Sequence, residues 1–436
     1  MHRSLYTIAL ILLLAACAQP APEPTPVPTA VLAELPAPTP RPTTVEVDPT
    51  STPAPTLAPA GDCTPSFEAL DAVDRAMFEG VTSINDVFID RRFAIWDGKY
   101  RFDDMPMLLA RRDRAGVPPR YGFLFNWSSG LLEHGRPFET PTFLDLGTVY
   151  CVSPLAHAQN LASVPALLRQ PTHASDLPIT ITTPNGRQTN DDSVFLLIYG
   201  DRASEPQIGA RAADPRAPER WASYAVRAAF GRWQLVEGPL GDQFELATLE
   251  SGDQAEPPAP EQAALALLEQ RILAAALRAN GADERLARQL VAVRQLRLPN
   301  AGAARAEYAQ EQRDGTAEYV AYRFASAAGL AQLQSWPERL LAGYAGERAP
   351  EPGDGAAPIG DFLRDERPAL MGAALGLLLD AAAIPWRSEM AQARTQFDIL
   401  AAAFPAPEGQ REALAAQAKA NFGYDELVAR AEAARR

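Results

Sequence analysis

The hydrophobic pattern of this chain changes period once, near residue 201. That change restricts the chain to a fold with a sheet-bearing half followed by a helical half. Before Asp201 the apolar residues fall in short segments: VFIDRRFAIW, MPMLLARR, RYGFLFNW, GTVYCVS, LPITITT and SVFLLIYG. Runs of β-branched and aromatic residues bounded by breakers read as strands. DRAGVPP, between the second and third segments, predicts a hairpin, and the Pro-Asn-Gly of TTPNGR predicts a turn. One helix is expected ahead of them, because SFEALDAVDRAMF places Phe67, Leu70, Val73 and Met77 on a single stripe. After the loop SEPQIGARAADPRAPER the residues are nearly all helix formers. Helices are expected at 221–236, 260–280, 283–298, 301–328, 331–344, 366–383, 388–404, 408–421 and 424–435. The expected class is α+β: a mostly antiparallel sheet domain over 62–215 packed on a helical domain over 216–436.

Residues 1–61 are excluded from that fold. MHRSLYTIALILLLAACAQP has a basic start, an apolar run and then Leu-Ala-Ala-Cys. This is the pattern of a secretory signal over residues 1–16 ending in a lipobox, and it resembles bacterial lipoprotein signals. Cleavage before Cys17 would leave a lipidated N-terminal cysteine. An ordinary signal peptide or a membrane helix with an incidental cysteine is the competing reading, although the apolar run is short for a span. Acyl chains contribute about 0.8 kcal/mol per buried CH₂, so several together hold a protein firmly at a membrane. The expected location is the outer face of a bacterial membrane, at the cell surface or in the periplasm. Residues 17–61 are rich in proline and threonine. Proline fixes φ and offers no backbone donor, so an extended, disordered spacer is expected there. As polyproline II it would reach on the order of 130 Å.

Composition removes some function classes. The net charge is −14, and Lys99 and Lys419 are the only lysines. A chain without a basic stripe argues against nucleic-acid binding. ALMGAALGLLLD is too short an apolar run to span a bilayer and suits a buried helix. Cys63 and Cys151 remain once Cys17 is assigned to lipidation, and in an exported protein they favour a disulfide. Closing so long a loop stabilises by roughly 4 kcal/mol in the chain-entropy model. A buried free thiol at Cys151 is the alternative. His134, His157 and His173 show no helical pairing and read as loop or surface residues.

YAVRAAFGRWQ, residues 224–234, raises a different question, because Gly231 interrupts a helix that is otherwise bulky. Glycine in a helix interior costs about 1 kcal/mol relative to alanine. Further on, EQRDGTAEYVAYR contains Asp314-Gly315-Thr316-Ala317-Glu318-Tyr319. Zinc-peptidase helices carry His-Glu-x-x-His, with two imidazoles at i and i+4 and a glutamate base beside the first. RAAFGRWQ stands where such a motif would stand relative to a Glu-Gly-x-Ala-x-Tyr stretch. Phe230 and Gln234 match it; Arg227, Ala228 and Gly231 replace the first His, the Glu and the second His. Asp314 stands for the third ligand. The competing reading is an amphipathic core helix that never held a site, with Gly231 set by close packing against another helix.

On these residues the chain resembles bacterial zincin-like proteins of the gluzincin type, with a degenerate site. The resemblance extends more loosely through MPMLLARRDRAG, LMGAALGLLLD…IPW and FGYDELVARAE. It implies a zincin-like helical domain and, for intact members, metal-dependent hydrolysis. Arginine keeps its proton and cannot ligate zinc, and neither Ala228 nor Gly231 offers a ligand. The resemblance therefore implies no catalytic residue, metal or cofactor in this chain. It implies a pseudo-metallopeptidase with a binding role toward a peptide, glycan or protein. An active hydrolase using other residues and a structural envelope lipoprotein are the alternatives. In place of metal, Arg227 is expected to fork onto Asp314. Glu307, Glu311, Asp314 and Glu318 share one helical face, and Glu307 and Glu311 are expected to be solvated.

Overall fold

The computed structural model describes residues 66–97, 99–112, 121–126, 131–132, 135–152, 174–183, 186–200, 217–236, 258–279, 283–299, 301–330, 359–390 and 394–434. All of them fall within the unit Leu57–Arg436. The signal and spacer, with Cys17, Cys63, the three mature histidines and the helix expected at 331–344, lie outside the described residues.

The chain folds as α+β. Helix α1 (Ala72–Ile95) starts at Asp71, whose side chain accepts from the backbone N–H groups of Val73 and Asp74. Such a cap satisfies two of the free donors at a helix start. The helix continues through VFIDRRFAI, which the local pattern assigns to a strand, with a kink at Arg91, whose φ of −134° is not helical. The correction has a simple cause. Met77, Val81, Ile84 and Phe88 continue one buried stripe at spacings of four, three and four. Ile89 and Phe93, which make the segment look strand-like, point outward at 62% and 67% exposure.

Seven strands follow: β1 (Met107–Arg111), β2 (Tyr121–Phe125), β3 (Leu131–Leu132), β4 (Gly135–Phe138), β5 (Val149–Val152), β6 (Ala174–Thr183) and β7 (Gly186–Tyr199). They form one sheet in the order β3-β6-β7-β1-β2-β5-β4. The expected β1–β2 hairpin is present, and the strands on either side of the expected TTPNGR turn also pair. β1 pairs antiparallel with β2 at Leu109↔Phe123, and β6 with β7 at Thr183↔Gly186. The β1–β7 pair, with Leu109↔Leu197, is parallel, so the sheet is mixed. All five residues of β1 are buried. That matches a continuous apolar run, which signals cover on both faces of a strand.

Odd-numbered residues of the central strands meet α1: Phe78 packs against Phe123 and Phe125 at ring-centroid distances of 4.8 and 5.4 Å. A charged clamp fixes the same helix. Asp74, 1% exposed, accepts from Arg111 Nη1 at 2.9 Å, Tyr121 Oη at 2.5 Å and Tyr199 Oη at 2.8 Å. One carboxylate thus ties α1 to the ends of β1, β2 and β7. Burial nevertheless pushes its carboxyl above the usual range, against the Tyr121 and Arg111 contacts.

The helical half comprises α2 (Ala217–Val236), α3 (Pro260–Arg278), α4 (Glu284–Arg297), α5 (Ala301–Ala327), α6 (Arg367–Ala381), α7 (Trp386–Met390), α8 (Gln396–Ala403), α9 (Glu408–Asn421) and α10 (Tyr424–Ala433). The single helix expected at 388–404 is two helices. Thr395 and Asp398 form a capping box that starts α8 afresh. A helical turn (Ile359–Asp361) and a π-helical stretch (Phe362–Glu366) lead into α6. One buried cluster runs from Leu70 to Leu427, joining sheet and helices across residue 215.

Candidate functional site

Helices α2 and α5, which carry the expected site, pack against each other. Phe230 faces the core, where its ring lies 4.8 Å from Trp96 and 4.9 Å from Tyr100. Gln234 is buried, and its Oε1 accepts from the Thr316 hydroxyl at 2.8 Å. Both matching letters of RAAFGRWQ are therefore used to dock α2. At Gly231 a Cβ would meet nothing within 4 Å, so helix packing does not require the glycine. Ala228 is half-buried against the core.

Arg227 does not fork onto Asp314. Its Nε lies 2.8 Å from Glu318 Oε2, four residues further along α5. Asp314 is held instead by its neighbour Arg313, through bonds of 2.8 and 3.1 Å. The difference is one of reach and competition: Arg313 forms a local fork with Asp314, which leaves Glu318 as the carboxylate that Arg227 meets. The Glu318 side chain is 8% exposed and that of Arg227 45%. Burial raises the Glu318 carboxyl, and Arg227 partly offsets this. Zinc does not fit these donors. A guanidinium engaged with a carboxylate stands where a first imidazole would be needed.

Tyr319, which follows Glu318 on α5, meets the end of α6 and the start of α7. Tyr319 Oη donates to Asp380 at 2.5 Å, and Trp386 Nε1 donates to the other Asp380 oxygen at 2.9 Å. Arg387 lies 5.3 Å from the ring centroid of Tyr319, 5.5 Å from that of Trp96 and 5.7 Å from that of Trp386. Such contacts between guanidinium and aromatic faces are favourable and strengthen as water is excluded.

A second polar arrangement, which the local pattern does not predict, lies among α3, α4, α5 and α6. Glu269 of α3, Arg294 and Arg297 of α4, Glu307 and Glu311 of α5, and Arg367 of α6 form one network. Arg294 bonds Glu311 through both Nη atoms, at 2.6 and 3.0 Å, and bonds Glu269 through Nε at 2.9 Å. Arg297 joins Glu269 to Glu307. Arg367 bonds Glu269 at 2.6 Å and Glu307 at 2.8 Å. Arg294 and Glu269 are fully buried, and Glu311 and Arg367 are each 2% exposed. Glu307 and Glu311 thus form no solvated stripe; with Glu269 they are the acidic half of the cluster, Glu311 buried and Glu307 partly so. Three guanidiniums and three carboxylates balance, which is the condition for burying ions.

Burial works to raise the Glu269 carboxyl, but Arg294, Arg297 and Arg367 overcome it and hold that carboxyl low. Glu307 is held low by Arg297 and Arg367 in the same way. Glu311 is pushed up to about 6, burial there outweighing Arg294. The sequence carried one signal for this cluster: Glu269 sits inside ALALLEQRIL, with Leu265, Ala266, Ile272 and Leu273 as its apolar neighbours at helical spacing. An acid in such a run needs a buried cation.

Among the described residues, no three or more His, Cys, Asp or Glu side chains are grouped to hold a metal ion. No described helix is long and apolar enough to cross a membrane. Cys151 in β5 is disulfide-bonded, which excludes the free-thiol alternative. Compared with models of protein families, with curated proteins and with solved structures, the chain matches none.

Proposed function

We propose that this chain is a lipid-anchored binding protein of the bacterial cell envelope. It is held by Cys17, raised on the spacer at 17–61, and built on a metallopeptidase-like helix pair that has lost its catalytic residues. The observation that carries this reading is the Arg227–Glu318 ion pair, 2.8 Å apart, at the position where the resemblance would place the first zinc ligand. A fixed cation can supply part of the charge that a metal would supply, but it provides no activated water. The open space at Gly231 lies one helical turn from Arg227 on α2 and leaves room for a peptide, glycan or protein group. The test is metal analysis with a peptidase assay. Protein dialysed without chelator is expected to hold far less than one zinc per chain and to show no chelator-sensitive hydrolysis. Stoichiometric zinc with such activity overturns the reading. For the anchor, mass spectrometry should find an acylated Cys17, and Cys17→Ser should release the protein from membranes.

A further inference from the structure

We draw no further inference here: the strongest candidate, the outward apolar face of Ile89 and Phe93 at the kinked end of α1, carries nothing because nothing in the structure shows what covers it.

Discussion

Gly315 and Gly372 bring α5 and α6 into backbone contact: a Cβ built on Gly315 would lie 2.3 Å from Gly372 Cα. A Cβ on Gly372 would lie 2.0 Å from the Glu311 carbonyl oxygen. No side-chain adjustment relieves a clash with backbone, so the helices would have to separate. Gly315→Ala is expected to destabilise by about 3 kcal/mol or more, at the upper end of overpacking costs. Gly231→Ala meets nothing and should stabilise by up to about 1 kcal/mol through helix propensity. Denaturant unfolding of the two variants should shift in opposite directions. A neutral Gly315→Ala would contradict the crossing.

The Arg227 ion pair should appear in a double-mutant cycle. Arg227→Ala and Glu318→Gln should show coupling, whereas Arg227→Ala and Asp314→Asn should be additive. Because Arg227 is 45% exposed, solvent screening limits the pair to about 1 kcal/mol, well below the cost of breaking a fully buried pair.

Removing one member of the buried network should cost far more. Arg294→Met leaves Glu269 and Glu311 short of a partner and is expected to lose about 3–5 kcal/mol. Arg288, paired with Glu284 on the surface at 42% and 62% exposure, gives the contrast. Arg288→Ala should cost less than about 1 kcal/mol. Chemical denaturation of both variants checks the difference.

The same network predicts opposing effects of pH. Glu311, with a folded value of about 6 against 4.5 for an unperturbed Glu, takes up its proton in the folded chain first. Its contribution to stability therefore grows as pH falls from 7 toward 4.5. Glu269 and Glu307 are held low, so their contribution is present above 4.5 and is lost as pH falls below it. Unfolding free energies of the parent and Glu311→Gln, measured from pH 7 to pH 3, should diverge between 7 and 5. The variant should lack the gain seen in the parent.

Cys151 is disulfide-bonded, and the chain three residues beyond Cys63 is placed near it. Ser66 forms a bridge with Glu139, adjacent to β4, and β4 pairs with β5 at Arg136↔Cys151. Non-reducing peptide mapping should recover Cys63 joined to Cys151, and Cys151→Ser should cost about 2–5 kcal/mol. A peptide linking Cys151 to any other cysteine contradicts the pairing.

Much of the fold was legible wherever one local signal was unopposed. The helix expected at 408–421 is α9, Glu408–Asn421, and the helix expected at 260–280 is α3, with Pro260 at its start. The β1–β2 hairpin follows from its turn residues. The segment 87–96 reads as a strand because aromatic and β-branched density competes with helical spacing there. The spacing prevails once Phe88 reaches the core beside Tyr100 and Phe102. Of the site, the helices α2 and α5 and the cation at Arg227 were legible, but its partner was not. Asp314 and Glu318 lie on the same face of one helix, and spacing does not distinguish which of them a facing side chain reaches.

The sequence by itself determined the class of the fold, most of its helices, the β1–β2 hairpin and the absence of zinc ligands at 227, 228 and 231, because these depend on residue type and local period. Only the tertiary structure decided that Glu307 and Glu311 join a buried ion network, that Arg227 meets Glu318, and that Arg367 bridges Glu269 and Glu307. Each of these depends on what a second or third helix brings to the same place. A charge on a helix looks the same in sequence whether water or a guanidinium faces it. Burial, which makes that difference matter by several kcal/mol, arises only when the helices pack.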